Sequence, residues 1–190
     1  MHERCVDEFL HRLRRVRDDQ WGRPTPCRDW TVRDLVNHMV NEELWTVPLM
    51  AGQRIADVGD RFDGDVLGTD PAGSAERAAR QAQAAALEPV RVDRTVHLSF
   101  GDVPASEYAM QLSADHLIHG WDLAVSTGTG ERLPAELVEA LVEWFAERET
   151  PYRQSGAIGE RPPADDRGDP QRRLLIAFGR DPDWAPRGQA

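Results

Sequence analysis

The sequence predicts an all-α protein, a bundle of about four long helices with one short β hairpin. Apolar residues recur at helical spacing over the long segments, whereas one segment alone alternates like a strand. Capping residues and glycines mark where these helices begin and end. The chain has 190 residues, 40% of them hydrophobic and 29% charged, which is ordinary for a globular protein with a real core. We therefore expect a single domain over 1–190.

Each predicted helix has its own start or stop signal. Thr31 and Asp34 have capping-box spacing, which predicts the start of the second helix. Gly128 marks the end of the fourth helix, and Asp169-Pro170 marks the start of a short last helix. The helices predicted in this way cover 4–18, 32–51, 71–87, 107–126, 134–148 and 170–178.

The remaining segments read as connections. A strand over 95–100 is predicted to turn back at Gly101-Asp102, giving the hairpin. Residues 52–70 are rich in glycine and aspartate, and 151–169 in proline, glycine and aspartate, so both are predicted to be loops. The core bundle is expected to occupy about 1–150, followed by a loop and the short helix over 151–190.

Composition excludes several classes of function. The formal net charge is -10, which disfavours binding to nucleic-acid phosphates. All 23 basic residues are arginine, so a Schiff-base mechanism through lysine is excluded. No run of 18 apolar residues predicts a membrane span, and no signal-like stretch follows the polar N-terminus. We therefore expect a cytoplasmic protein that interacts with neither membrane nor nucleic acid.

The histidines and carboxylates predict a metal site. Asp115 and His119 lie one helical turn apart on the fourth long helix, so their side chains point the same way. His38 lies on the apolar stripe of the second helix and can supply a third ligand. Two histidines and one carboxylate leave a coordination position open, which is typical of catalytic metal sites.

Other interpretations of these residues remain open at this point. Asp115 and His119 could form only a surface ion pair, and His116 or Glu42 could replace one of the ligands. Glu42 and Glu43 are predicted to face solvent or to support the ligands. No part in a site is predicted for the remaining candidates. Cys5 and Cys27 are predicted to be structural, and His2, His11 and His97 are predicted to lie on the surface.

Two motifs resemble a known family. Residues 25–38 (TPCRDWTVRDLVNH) and 114–124 (ADHLIHGWDLA) resemble the mycothiol-dependent maleylpyruvate isomerase N-terminal domain family. Residues 174–182 (LLIAFGRDP) resemble the tail of its small actinobacterial members. The resemblance implies a DinB-like four-helix bundle that binds one metal ion through His38, Asp115 and His119. In the isomerase itself the helical pair is glutamate and histidine, so the aspartate here has a shorter reach.

The resemblance also implies a chemistry. The relatives use a low-molecular-weight thiol, mycothiol, as co-substrate, and a coordinated thiol is held as thiolate. This implies a thiol-dependent transferase or isomerase acting on an electrophilic small molecule, with zinc preferred and nickel or iron acceptable. We expect Glu42 to transfer protons, Asp122 to orient a ligand, and Arg33 or Arg28 to bind an anionic substrate. A homodimer is expected, and the alternatives are a non-catalytic metal-binding protein or sensor and a metal-dependent hydrolase.

Overall fold

A computed structural model of the chain describes residues 1–87 and 94–186. Helices dominate it, and one two-stranded antiparallel hairpin is the only sheet among the described residues. The helices are α1 (His2–Leu13), α2 (Val32–Met50), α3 (Ile55–Val58), α4 (Pro71–Leu87), α5 (Ala105–Thr127), α6 (Ala135–Phe145), α7 (Glu149–Gln154) and α8 (Pro170–Ala177). The strands are β1 (Thr95–Leu98) and β2 (Gly101–Pro104). The predicted all-α fold with a minor hairpin is confirmed.

Four long helices form a closed bundle. The closest packing joins α1 to α5 and α2 to α4, and the contacts of α2 with α5 and of α1 with α4 complete the ring. Helix α5 is the central element, since every residue from Leu112 to Thr127 except Asp115 is buried. A partly exposed carboxylate at that one position of a buried segment indicates an opening in the bundle beside it.

The start of α2 is held as the sequence predicts. Thr31 Oγ1 accepts a hydrogen bond from the Asp34 backbone N–H at 3.2 Å, and the Asp34 carboxylate accepts one from the Thr31 N–H at 2.9 Å. This capping box satisfies two backbone donors that the first turn of a helix leaves free. It fixes the end of the helix that carries His38 two turns later.

The predicted hairpin turn was wrong by two residues. Its register pairs Thr95 with Pro104 and Leu98 with Gly101, so Ser99 and Phe100 form the turn. Because Pro104 ends the second arm, a turn at Gly101-Asp102 would leave too few residues to pair. Moving the turn gives four paired positions and lets Val96 reach the core, where it is fully buried.

Three helix predictions also need correction. Helix α1 ends at Leu13 rather than at 18, and a 3-10 turn covers Asp18–Gln20. Gln20 explains this end, because its buried side chain donates to the Thr127 carbonyl at 2.9 Å and accepts from the Arg17 N–H. Helix α5 begins at Ala105, two residues early. The predicted loops contain the short helices α3 and α7, which carry little apolar periodicity.

The last part of the chain packs on the C-terminal half of α5. Helices α6 and α8 contact each other and enclose Trp121 in an apolar cluster with Phe145 and Leu174. Asp169 caps α8 as predicted, since its carboxylate accepts from the Gln171 N–H at 2.9 Å. This packing returns the chain beyond α8 to the opening beside α5. In the described ranges, none of the helices has both the length and the apolar character to cross a bilayer.

Candidate metal centre

The three predicted ligands converge between α2 and α5. His38 Nε2 lies 3.4 Å from Asp115 Oδ2, and His119 Nε2 lies 3.4 Å from Asp115 Oδ1. One donor atom from each residue lies within 4.8 Å of the other two. Asp115 and His119 meet because they occupy successive turns of one helix face. The arrangement offers two nitrogens and an oxygen, a donor set that suits zinc and related divalent ions.

A cavity of about 640 Å³ opens onto these ligands. Aromatic side chains form much of its wall, and the Trp30 ring centroid lies 5.0 Å from that of His38. The other residues that line it include Glu42, Trp45, Tyr108, Trp144, Tyr152, Phe178 and Arg180. Its size is that of a small-molecule site, and most of its surface is apolar with few convergent polar groups.

A chain of contacts orients His119. Its Nδ1 lies 3.0 Å from Asp122 Oδ2, so Nε2 is turned toward Asp115 and the cavity. Arg180 in turn donates to both Asp122 oxygens at 2.9–3.0 Å. Histidines that bind metal commonly donate their other ring N–H to a carboxylate, which fixes the tautomer and the ring. Asp122 lies where the sequence prediction requires it, with Arg180 behind it.

Electrostatics in the cluster favour a charged network. Burial alone would raise the pKa of Asp115, but the charges of and hydrogen bonds from His119 and His38 hold it well below its usual value. Burial would lower the pKa of His119, but Asp115 and Asp122 hold it well above its usual value. Burial and the neighbouring Asp115 charge raise the pKa of Glu42. His119 thus lies between two carboxylates, with Asp115 near Nε2 and Asp122 near Nδ1.

Comparison with known proteins identifies the family of this chain. Residues 2–124 match the family described as mycothiol maleylpyruvate isomerase N-terminal domain. The chain belongs to this family. Two uncharacterized proteins of Mycobacterium tuberculosis, MT0763 from strain CDC 1551 and Rv0738 from strain H37Rv, are each 36% identical to it over 180 residues. That alignment covers 86% of this chain and 91% of each relative. No solved structure matches it significantly.

Part of the candidate site lies outside the residues that match the isomerase family. All three predicted ligands and Asp122 lie within 2–124, whereas Arg180 follows α8. Sequence reasoning missed Arg180, although it lies in the tail motif that carried part of the resemblance. Its side chain is 17% exposed and lines the cavity. The C-terminal segment therefore completes the site.

Cys27, which was predicted to be structural, is only partly buried and lines the cavity. Its Sγ lies 3.3 Å from Arg180 Nη2, 3.4 Å from Asp122 Oδ2 and 3.9 Å from His119 Nδ1. The loop that carries it closes on itself, with the Trp30 N–H donating to the Cys27 carbonyl at 3.1 Å. This loop sets a thiol and an indole at the edge of the cavity. Cys5, by contrast, lies fully buried in the core as predicted.

The predicted substrate arginines lie elsewhere. Arg33 donates to Asp65 at 2.8 Å and to the Gly68 carbonyl at 3.0 Å, which ties α2 to the segment before α4. Arg28 is exposed, and neither residue lines the cavity. Within the described part of the chain, the arginine that lines the cavity is Arg180. Glu42 lines the cavity, in agreement with its proposed position near the ligands.

A second cluster of the same composition lies on the other side of α5. His2, Glu43 and His116 bring one donor atom each within 4.8 Å of the others. Glu43 is 2% exposed and His116 is 1% exposed, so the prediction that Glu43 faces solvent was wrong. His2 is half-buried rather than a surface residue, and burial lowers its pKa to about 4. The predicted surface positions hold for His11, which is exposed.

Proposed function

We propose that this protein binds a divalent metal ion through His38, Asp115 and His119 and uses it to activate a low-molecular-weight thiol. The thiol, mycothiol in the family, would then react with an electrophilic small molecule in S-transfer or isomerisation. One observation carries the proposal. The three ligand side chains converge on the wall of a cavity of about 640 Å³, with the ring of His119 already fixed by Asp122.

The donor set fits a catalytic rather than a structural metal. Three protein ligands leave at least one coordination position, and Asp115 is 35% exposed toward the opening. When bound, the metal would supply a positive charge that holds a thiol in its reactive thiolate form at neutral pH. Zinc is the preferred ion because two imidazoles and a carboxylate suit it, and nickel or iron would accept the same set.

The chain's own residues would bind and orient the reactants. Glu42 lines the cavity, and burial and the Asp115 charge raise the pKa of its carboxyl group, so this group would exchange a proton with a bound substrate. Arg180 presents a guanidinium to the cavity while it holds Asp122, and it would attract an anionic group. The indole and phenol rings on the wall would exclude water from the reacting thiol.

A conjugation assay tests the proposal. The zinc-loaded, untagged protein is mixed with mycothiol and a chromogenic aryl halide, and the rate of thioether formation is compared with that of free zinc. We expect a rate above this background that His38→Ala and His119→Ala abolish and that the hairpin control His97→Ala leaves unchanged. Equal rates for the wild type and His119→Ala would refute thiol activation at this site. Thiol-independent cleavage of a chromogenic ester would instead favour a hydrolase.

A further inference from the structure

We propose that His2, Glu43 and His116 form a second, buried site for a divalent metal ion, separate from the site of the proposed function. The three side chains come from three helices that meet at one point, α1, α2 and α5. Two imidazoles and one carboxylate, each with a donor atom within 4.8 Å of the other two, form a ligand set of the type that zinc accepts.

The polar atoms of this cluster are incompletely partnered. His2 Nε2 and both carboxylate oxygens of Glu43 are buried, and none of them has a hydrogen bond within the described part of the chain. A buried carboxylate without donors is costly, because protein interiors solvate charge poorly. Such groups ordinarily pair or coordinate a metal ion.

A buried ion pair accounts for only part of the cluster. His116 Nε2 lies 2.6 Å from Glu43 Oε1, which is the distance of a charged pair. The second oxygen of Glu43 and Nε2 of His2 remain without partners. One cation among the three residues would satisfy all of these atoms together.

The ring of His116 is oriented as a ligand. Its Nδ1 lies 2.8 Å from the Leu112 carbonyl one turn earlier, which can only accept, so Nδ1 carries the proton. With a metal bound, Nε2 would present its lone pair to the ion, whereas in the metal-free ion pair the same atom carries a proton that faces Glu43. A backbone carbonyl behind the ring is one of the usual partners of a metal-bound histidine.

The space beside this cluster is small and mostly apolar. A cavity of about 10 Å³ adjoins Glu43 and His116, and its other walls are apolar. This volume is at the lower limit for one water molecule and is enough for a bare ion. His2 lies in the first turn of α1, whose N-cap makes no side-chain hydrogen bond, so fraying of that turn provides a path of entry.

The test is metal stoichiometry. Untagged protein is stripped with a chelator, reloaded with Zn²⁺, desalted and assayed by elemental analysis. We expect two equivalents per chain, falling to one in His2→Gln and in Glu43→Gln, with the ion at His38 retained. His11→Gln, an exposed histidine on the same helix, is the matched control and should keep both. His2→Gln combined with His38→Ala should bind none.

One equivalent in the wild type, lost in His38→Ala and unchanged in His2→Gln, would overturn the proposal and leave the buried ion pair alone. His2 is only half-buried, so His2→Gln decides the question even if Glu43→Gln fails to fold. If instead the proposed function fails because the open site binds no metal, His38→Ala will leave the stoichiometry unchanged while His2→Gln still lowers it. The two failures are therefore distinguishable.

Discussion

Two clusters of the same composition lie on opposite sides of α5 and differ in their access to solvent. In the open cluster, His38, Asp115 and His119 face the large cavity, and the His38 and Asp115 side chains are 28% and 35% exposed. In the closed cluster, the His116 and Glu43 side chains are 2% and 3% exposed. The first can receive a ligand from solution, whereas the second is enclosed by the bundle.

The difference arises from one step along a helix. Asp115 and His116 are neighbours, and successive residues of an α-helix point about 100° apart, so one faces the cavity and the other faces α1. The same holds for Glu42 and Glu43 on α2. Adjacent residues on each of these two helices therefore face different sides of the bundle. Solvent access, rather than the type of donor, therefore separates a candidate reactive site from a buried one.

The largest expected effect is on stability, and it should appear only in the closed cluster. In metal-free protein, His116→Leu leaves Glu43 as an unpaired buried charge and should lower the free energy of unfolding by about 3–5 kcal/mol. The double change with Glu43→Leu should recover much of this loss, because apolar groups often replace a buried pair without cost. Urea unfolding measures both.

The open cluster supplies the matched comparison for that experiment. Asp115→Asn should lower the free energy of unfolding by less than His116→Leu does in metal-free protein, because the Asp115 side chain is 35% exposed and water can replace part of its contacts. A loss as large as that of His116→Leu would show that the two clusters do not differ as described.

The next effect concerns the support of His119. Asp122→Asn removes the carboxylate that accepts from His119 Nδ1 and should weaken Zn²⁺ binding at the open cluster by about 10–100-fold. Asp102→Asn is the control, since Asp102 contacts His97 Nδ1 at 2.7 Å on the hairpin and neither residue lines the cavity. Competition with a chromogenic chelator measures the affinities. An affinity of Asp122→Asn within about twofold of the wild type would contradict the role of Asp122.

The smallest effect concerns the start of α2, which carries ligands of both clusters. Thr31→Ala removes the cap and should cost about 1 kcal/mol of stability at neutral pH. Hydrogen bonds from Thr31 lower the pKa of Asp34 below its ordinary value of 3.8. The stability that the Asp34 carboxylate contributes is therefore fully present above pH 3.8 and is lost as the pH falls through the lowered pKa. Thermal unfolding of both proteins over a pH series should show the difference shrinking at low pH, and a constant difference would argue against the capping box.

Local signals in the sequence predict much of the fold and part of the site. The Thr31 cap, the stop at Gly128 and the spacing of Asp115 and His119 depend on neighbours within one turn, so they could be read directly. Glu43 could have been placed on the buried stripe, because it continues the spacing of Leu35 and Met39, which are both buried.

Contacts between distant segments could not be read in the same way. Arg180 meets Asp122 only because α8 packs on α6 and returns the chain to the cavity. Cys27 reaches the same carboxylate through a loop whose shape depends on its own backbone hydrogen bonds. His2 joins Glu43 and His116 only through the packing of α1 against α5. Such contacts depend on tertiary packing, which the spacing of residues within one helix or strand does not predict.

Anomalous X-ray diffraction at the zinc edge, from crystals of the Zn²⁺-loaded protein, would locate the bound metal ions. If the three predicted residues bind the metal, we expect a peak at the open cluster, about 2.0–2.2 Å from His38 Nε2, His119 Nε2 and a carboxylate oxygen of Asp115. An empty open cluster, or a peak bound instead by Cys27 Sγ and His119 Nδ1, would contradict this prediction.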